Sequence, residues 1–190
     1  MGKVNAQCSG GPQEVASQLM ATSPCHYPCE LVDVDFIQSA PFRFSNSVDL
    51  SITGEQLFEV LADAEAWPKW AKAITNVTWT SPEPYGVGTT RTVDMLGGLK
   101  GDEEFLAWEP NSYLAFRFNA CSSSVVAAFA EEYRVVPIPG GCRLTWTVAQ
   151  KPAGLARAGL VVGGPLMKLT FKWFLTNLRS YTDERFASHS

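Results

Sequence analysis

The chain has 190 residues, of which 46% are hydrophobic and 18% are charged, and its formal net charge at pH 7 is -4. A chain of this length buries the core of one ordinary domain without metals or disulfides, so we expect a single core. The charges are spread along the chain without basic or acidic blocks, which argues against nucleic acid as a partner.

The cysteines and the apolar segments indicate in which cellular compartment the protein is expected. The five cysteines are an odd number and are scattered, which is typical of free thiols in a reducing compartment. The first twenty residues contain no apolar stretch, so we expect no secretory signal and a cytoplasmic location. Glycine, proline and lysine interrupt the apolar stretch from Leu155 to Leu175, and we therefore expect no membrane span.

Residues 1–40 are rich in Ser, Gly, Pro and Cys and lack hydrophobic periodicity. This composition predicts a poorly ordered N-terminal extension, followed by one domain over residues 41–190. The potential metal ligands in the extension are Cys8, Cys25, His26 and Cys29. Their spacing lacks the paired pattern of a zinc knuckle, so we expect no metal site.

A strand and two short helices are predicted at the start of the domain. Apolar residues occupy even positions from Phe42 to Ile52, with one polar interruption at Asn46, which indicates a half-buried strand. Thr53 is a suitable N-cap for an amphipathic helix over Gly54–Ala62. A second short helix is expected around residues 64–73.

The middle of the chain predicts six strands separated by turn signals. Their expected bounds are Ile74–Trp79, Thr89–Met95, Lys100–Trp108, Tyr113–Asn119, Val125–Val136 and Cys142–Gln150. The last two are joined by a Pro- and Gly-containing hairpin connection. The segment therefore indicates an antiparallel meander.

The C-terminal segment predicts a long amphipathic helix with Pro165 in its first turn. Its apolar stripe consists of Met167, Phe171, Phe174, Leu178 and Tyr181. A stripe of this length has to be covered, and the concave face of the meander is the surface available. The predicted fold class is α+β, with a curved sheet around the last helix and an apolar cavity between them.

Several short motifs accompany this order of elements. They are Trp67-Pro-x-Trp70, Gly88-x-x-Arg91, Glu103-x-Phe105, Trp108-Glu-Pro110 and the run from Gly140 to Trp146. With them the chain resembles the polyketide cyclase/dehydrase branch of the START-like (SRPBCC) superfamily, over roughly residues 42–185. The resemblance implies the helix-grip fold and a deep cavity for an apolar small molecule such as a polyketide, lipid or isoprenoid.

Three functions remain open, because a shared fold does not fix an activity. The first is a protein that carries or sequesters a hydrophobic ligand. The second is a cyclase, aromatase or dehydratase acting on a polyketide. The third is an interaction module that docks a partner through the acidic extension or through Ala153–Gly164, a segment that is either a mobile lid or an ordinary loop. No cofactor is expected, and the oligomeric state is left open.

Arg91 and Glu103 are the candidate catalytic residues, since they match recurring positions of the family and lie on strands expected to be neighbours. Inside a cavity, such a pair would orient a carbonyl or carboxylate of a ligand, and a desolvated Glu103 would serve as a general base. The alternative is an ion pair at the sheet surface or cavity mouth that fixes strand register.

Aromatic residues are the candidate ligand-binding residues. The set is Trp67, Trp70, Phe105, Trp108, Phe129, Tyr133, Trp146, Phe171 and Phe174. Rings that line unfilled volume suit a planar ligand, and the Tyr133 hydroxyl is the expected hydrogen-bonding group. The alternative is that most of these rings only fill the core.

Overall fold

A computed structural model describes residues 26–154 and 156–187 of the chain. The strands are β1 Tyr27–Pro28, β2 Phe42–Leu50, β3 Ile74–Trp79, β4 Thr90–Met95, β5 Lys100–Glu109, β6 Tyr113–Cys121, β7 Val126–Ile138 and β8 Gly141–Pro152. The helices are α1 Phe36–Ser39, α2 Gly54–Ala62, α3 Trp67–Trp70 and α4 Ala156–Phe186.

The strands form one antiparallel sheet in the order β2-β8-β7-β6-β5-β4-β3, with β1 pairing to the end of β6. Strands β3 to β8 pair in chain order and form a meander. Strand β2, which precedes them in the chain, pairs along β8. The sheet curves around α4, which packs against β2, β8 and α3. The predicted helix-grip fold and its order of strand, two helices, six strands and long helix are confirmed.

Helices α2 and α3 lie between the first strand and the meander. The Thr53 hydroxyl accepts a hydrogen bond from the Gln56 N–H, and the Gln56 side chain accepts one from the Thr53 N–H, so α2 begins with a capping box. Trp67 of α3 is buried and its indole N–H donates to the Leu61 carbonyl, 3.0 Å away. This bond fixes the position of α3 relative to α2.

Helix α4 begins earlier than the sequence predicts. It starts at Ala156, so Pro165 lies inside the helix rather than in its first turn, and most of Ala153–Gly164 is helical backbone. A Cβ atom on Gly164 would lie 3.4 Å from the Phe44 ring, which means that this glycine permits close approach of α4 to β2. Among the described residues, no helix is long and apolar enough to cross a membrane.

Residues 26–40 differ from the loose extension that the composition predicts. β1 pairs with β6, the Cys29 N–H donates to the Asn119 carbonyl at 3.0 Å, and Ile37 of α1 is fully buried. Ile37 packs on three alanines of the convex face of the sheet, Ala115, Ala130 and Ala149. Their small side chains leave room for one isoleucine. The remaining part of the predicted extension, residues 1–25 with Cys8 and Cys25, lies outside the described residues.

Candidate functional site

A cavity of about 230 Å³ lies between the concave face of the sheet and the helices α3 and α4. Most of its wall is apolar. β4 contributes Val93 and Met95, β6 contributes Phe116 and Phe118, and α4 contributes Met167. Polar side chains on the wall are few, and the charged or acidic ones among them are Arg91, Glu103 and Glu131.

Arg91 and Glu103 form an ion pair on this wall. They are directly opposite each other on β4 and β5, and Arg91 Nε donates to Glu103 Oε2 at 2.5 Å. Their side chains are only 1% and 5% exposed. The pair is therefore buried at the cavity wall rather than exposed on the outer surface of the sheet.

Aromatic rings surround the guanidinium of Arg91. Its Cζ atom lies 4.2 Å from the ring centre of Trp67 and 4.8 Å from that of Phe116, with Trp79 and Phe105 at 5.3 and 5.1 Å. Rings at this distance stabilise a cation through their negative faces. Both Nη atoms are buried without a hydrogen-bond partner among the described residues. The charge of Arg91 is thus balanced by one carboxylate and by π-electron density.

Glu131 is a third ionisable residue of the site, and sequence reasoning missed it. Its Oε2 accepts hydrogen bonds from the Tyr133 hydroxyl at 2.7 Å and from the Trp146 indole N–H at 2.8 Å. Side chains alternate along β7, so Glu131 shares the concave face with Phe129 and Tyr133. This alternation along β7 is the sequence signal that could have placed Glu131 in the cavity.

Burial raises the pKa of Glu131 to about 8, and the nearby negative charge of Glu103 adds to this rise. Burial also raises the pKa of Glu103, while the adjacent Arg91 opposes that effect. The pKa of Tyr133 is raised well above its usual value by burial and by Glu131. These shifts favour a neutral Glu131 and a neutral Tyr133 at neutral pH, while the guanidinium of Arg91 favours the charged form of Glu103.

The predicted aromatic residues separate into two groups. Those on the cavity wall are Trp67, Phe129, Tyr133, Trp146, Phe171 and Phe174. Trp70, Phe105 and Trp108 are not part of the wall. Trp70 lies behind Trp67, with ring centres 4.9 Å apart, while Phe105 and Trp108 meet edge to face, with ring centres 5.0 Å apart, near Trp79. These three rings pack in the core, whereas the other six line the cavity.

A curved antiparallel sheet that closes on a long helix around an apolar cavity defines a helix-grip ligand-binding fold. The family model described as "Polyketide cyclase / dehydrase and lipid transport" matches residues 41–182. The chain belongs to this family, and the resemblance found in the sequence is confirmed.

The chain is also similar to several known proteins. The uncharacterized protein Rv2574 of Mycobacterium tuberculosis is 64% identical over 162 residues, which cover 85% of this chain and 97% of that protein. A START superfamily protein from Mycobacterium smegmatis has a similar structure, with a TM-score of 0.57 and 15% identity over 78% of this chain and 99% of the other. A hypothetical protein from Helicobacter pylori has a TM-score of 0.62 and 18% identity, covering 75% and 89% of the two chains. These structures show the shared fold.

Proposed function

We propose that the protein binds a small hydrophobic molecule in its central cavity and carries or sequesters it. The observation that supports this most is the interior volume of about 230 Å³ bounded by aromatic and aliphatic side chains. Close packing is the rule in protein interiors, and empty space of this size lined by apolar groups is a binding site for apolar ligands. The volume is below the roughly 300–1,000 Å³ of typical ligand pockets, which favours a compact ligand.

A second candidate is catalysis of a cyclisation or dehydration of a polyketide-type substrate. It is favoured by the position of Arg91 and Glu103 on the cavity wall, where a carboxylate in an apolar interior is a stronger base than in water. Glu103 would remove a proton next to a substrate carbonyl. A carrier needs only the apolar wall, whereas an enzyme needs these two side chains as well.

Native mass spectrometry of the purified protein, followed by denaturing extraction, tests binding. We expect a small apolar molecule to be released from the wild type. Ala73→Phe places a ring in the cavity, since Ala73 lines it, and should abolish this species. Leu169→Phe is the matched control because Leu169 is 64% exposed on α4, and it should retain the ligand. Equal occupancy in both variants would contradict binding in the cavity.

The two candidates are separated by the fate of the ligand. A carrier returns the extracted molecule with its mass unchanged after prolonged incubation with fresh protein. An enzyme that dehydrates its substrate produces a species lighter by one water, and one that only cyclises it produces an isomer of equal mass that chromatography separates. Glu103→Gln should stop either conversion and leave binding largely intact. A conversion that persists in Glu103→Gln would remove Glu103 from the chemistry.

A further inference from the structure

The two carboxyl groups of the cavity each use one oxygen within the protein. Glu131 Oε2 accepts both bonds from Tyr133 and Trp146, and Glu103 Oε2 accepts the bond from Arg91. Neither Oε1 atom has a hydrogen-bond partner among the described residues, and both side chains line the cavity. Each carboxyl group therefore has one oxygen left for a ligand.

The neighbours of the two groups decide which one carries a proton. Glu103 is bonded to a guanidinium, which favours its charged form, while Glu131 is bonded only to neutral donors. Two buried carboxylates near a single cation would repel each other, so one of them stays neutral. In Glu131 the two donors occupy Oε2, so the proton is on Oε1, the oxygen available to the cavity.

We propose, building on the proposed function, that the cavity selects a neutral ligand bearing a carbonyl group, and that the carboxylic acid of Glu131 donates a hydrogen bond to the carbonyl oxygen. The rest of the ligand lies against Trp67, Phe171 and the other apolar wall residues. A hydrocarbon would leave the Glu131 O–H without a partner. The site therefore favours a ketone over a hydrocarbon of the same shape.

The same arrangement disfavours an anionic ligand. The Nη atoms of Arg91 are buried against the rings of Trp67 and Phe116, and its Nε already donates to Glu103. A ligand carboxylate in the cavity would be repelled by Glu103, which already pairs with Arg91. Of the carbonyl and carboxylate groups that the sequence suggests as ligands of this pair, the proposal favours the neutral carbonyl.

Few other titratable groups face Glu131. β4 and β5 contribute Arg91 and Glu103, and β7 itself contributes Tyr133. β6 and β8 present Phe116 and Trp146 beside it, and the described cavity residues of α3 and α4 are uncharged. A change in ligand preference at mildly alkaline pH would therefore report on Glu131, since it is the group that loses its proton there.

Isothermal titration calorimetry with three matched probes tests the proposal. The probes are acetylnaphthalene, ethylnaphthalene and naphthoate, all substituted at the same ring carbon. Neither of the first two probes titrates, so any pH dependence in their binding belongs to the protein. At pH 6 we expect acetylnaphthalene to bind at least about tenfold more tightly than ethylnaphthalene, as one hydrogen bond from a buried acid implies. Naphthoate should bind most weakly.

At pH 9.5 the preference for the ketone should fall by about fivefold or more, while ethylnaphthalene affinity stays constant and shows that the cavity is intact. Glu131→Gln keeps a permanent N–H donor and should retain the preference at both pH values. Equal binding of ketone and hydrocarbon at pH 6, or a pH-independent preference in the wild type, would overturn the role of Glu131 but leave the cavity function standing. Binding of none of the probes would overturn both proposals.

Discussion

At the scale of single residues, strand β7 places two adjacent glutamates in different surroundings. Glu131 faces the cavity among rings, whereas Glu132 faces the convex side, where Arg134 lies 2.8 Å from its carboxylate and the Tyr113 hydroxyl donates to it. The sequence identified Arg91 and Glu103 because they match family positions. Glu131 was hidden because a Glu-Glu pair resembles a solvated surface, and only the alternation of the strand separates its members.

The raised pKa of Glu131 predicts how stability depends on pH. The folded protein holds a proton on Glu131 up to about pH 8, whereas an unfolded chain releases it near the ordinary value of 4.5. Between these values the folded state binds more protons, so the free energy of unfolding decreases as pH rises. This contribution is complete below about pH 4.5 and lost by about pH 8. We expect a decline of a few kcal/mol, measured by urea unfolding from pH 5 to 9.

Substitution of Glu131 tests whether this residue causes the decrease of the unfolding free energy with pH. Glu131→Gln should flatten the decline, because the amide has no proton to lose and still accepts the bonds from Tyr133 and Trp146. Glu184→Gln, which alters an exposed carboxylate of α4, should keep the wild-type slope. An unchanged slope in Glu131→Gln would mean that Glu131 is already ionised in the folded protein.

Because Arg91 and Glu103 form a buried ion pair, the loss of stability on replacing one of them should depend strongly on whether the other is present. Arg91→Met leaves Glu103 buried without its cation and should cost about 3–5 kcal/mol. Adding Glu103→Leu removes the stranded carboxyl group and should recover part of that loss. A double-mutant cycle by chemical denaturation measures the coupling. Additive losses would show that the two side chains do not act as a pair.

At the scale of elements, α4 has two faces with different roles. Met167, Phe171 and Phe174 line the cavity, whereas Leu169 and Trp173 are exposed. The three- and four-residue spacing predicted this buried stripe correctly. The start of the helix was not predictable, because glycines and Pro165 usually mark a helix boundary, and here the backbone stays helical through them.

Truncation to alanine should lower the stability of the protein much more on the buried face of α4 than on its exposed face. Phe174 is 5% exposed and contacts Trp146, so Phe174→Ala should cost about 3–5 kcal/mol through lost burial and an enlarged cavity. Trp173→Ala, one residue away and 52% exposed, should cost much less. Thermal and urea unfolding measure both. A larger loss for Trp173→Ala would mean that another surface covers the outer face of α4.

At the scale of the whole molecule, the sheet has a layer on each side. α4 and α3 cover the concave face and enclose the cavity, while residues 26–40 cover part of the convex face. The concave layer was predictable, because an amphipathic helix of this length needs a partner surface. The convex layer was not predictable, because Ile37 is not part of a periodic apolar pattern. The residues it packs against are alanines, whose small side chains give little hydrophobic signal.

The convex layer predicts that residues 26–40 contribute to stability. Chains that begin at His26 and at Pro41 differ only in this segment, which buries Ile37 and forms the bonds from Cys29 and Glu30 to the sheet. We expect the shorter chain to lose about 3 kcal/mol or more, since burial of one isoleucine alone accounts for roughly 2–5 kcal/mol. For a domain of this size, that loss lowers the Tm by about 6–12 °C.

Calorimetry of both chains measures this difference, and Ile37→Ala in the full chain identifies its source. If Ile37→Ala reproduces most of the loss, the segment stabilises the domain mainly by packing Ile37 against the three alanines of the convex face. If Ile37→Ala is neutral while the shorter chain is destabilised, the stabilisation comes from pairing of β1 with β6. Equal Tm values for the two chains would contradict a structural role for residues 26–40 and restore the interpretation of a loosely attached extension.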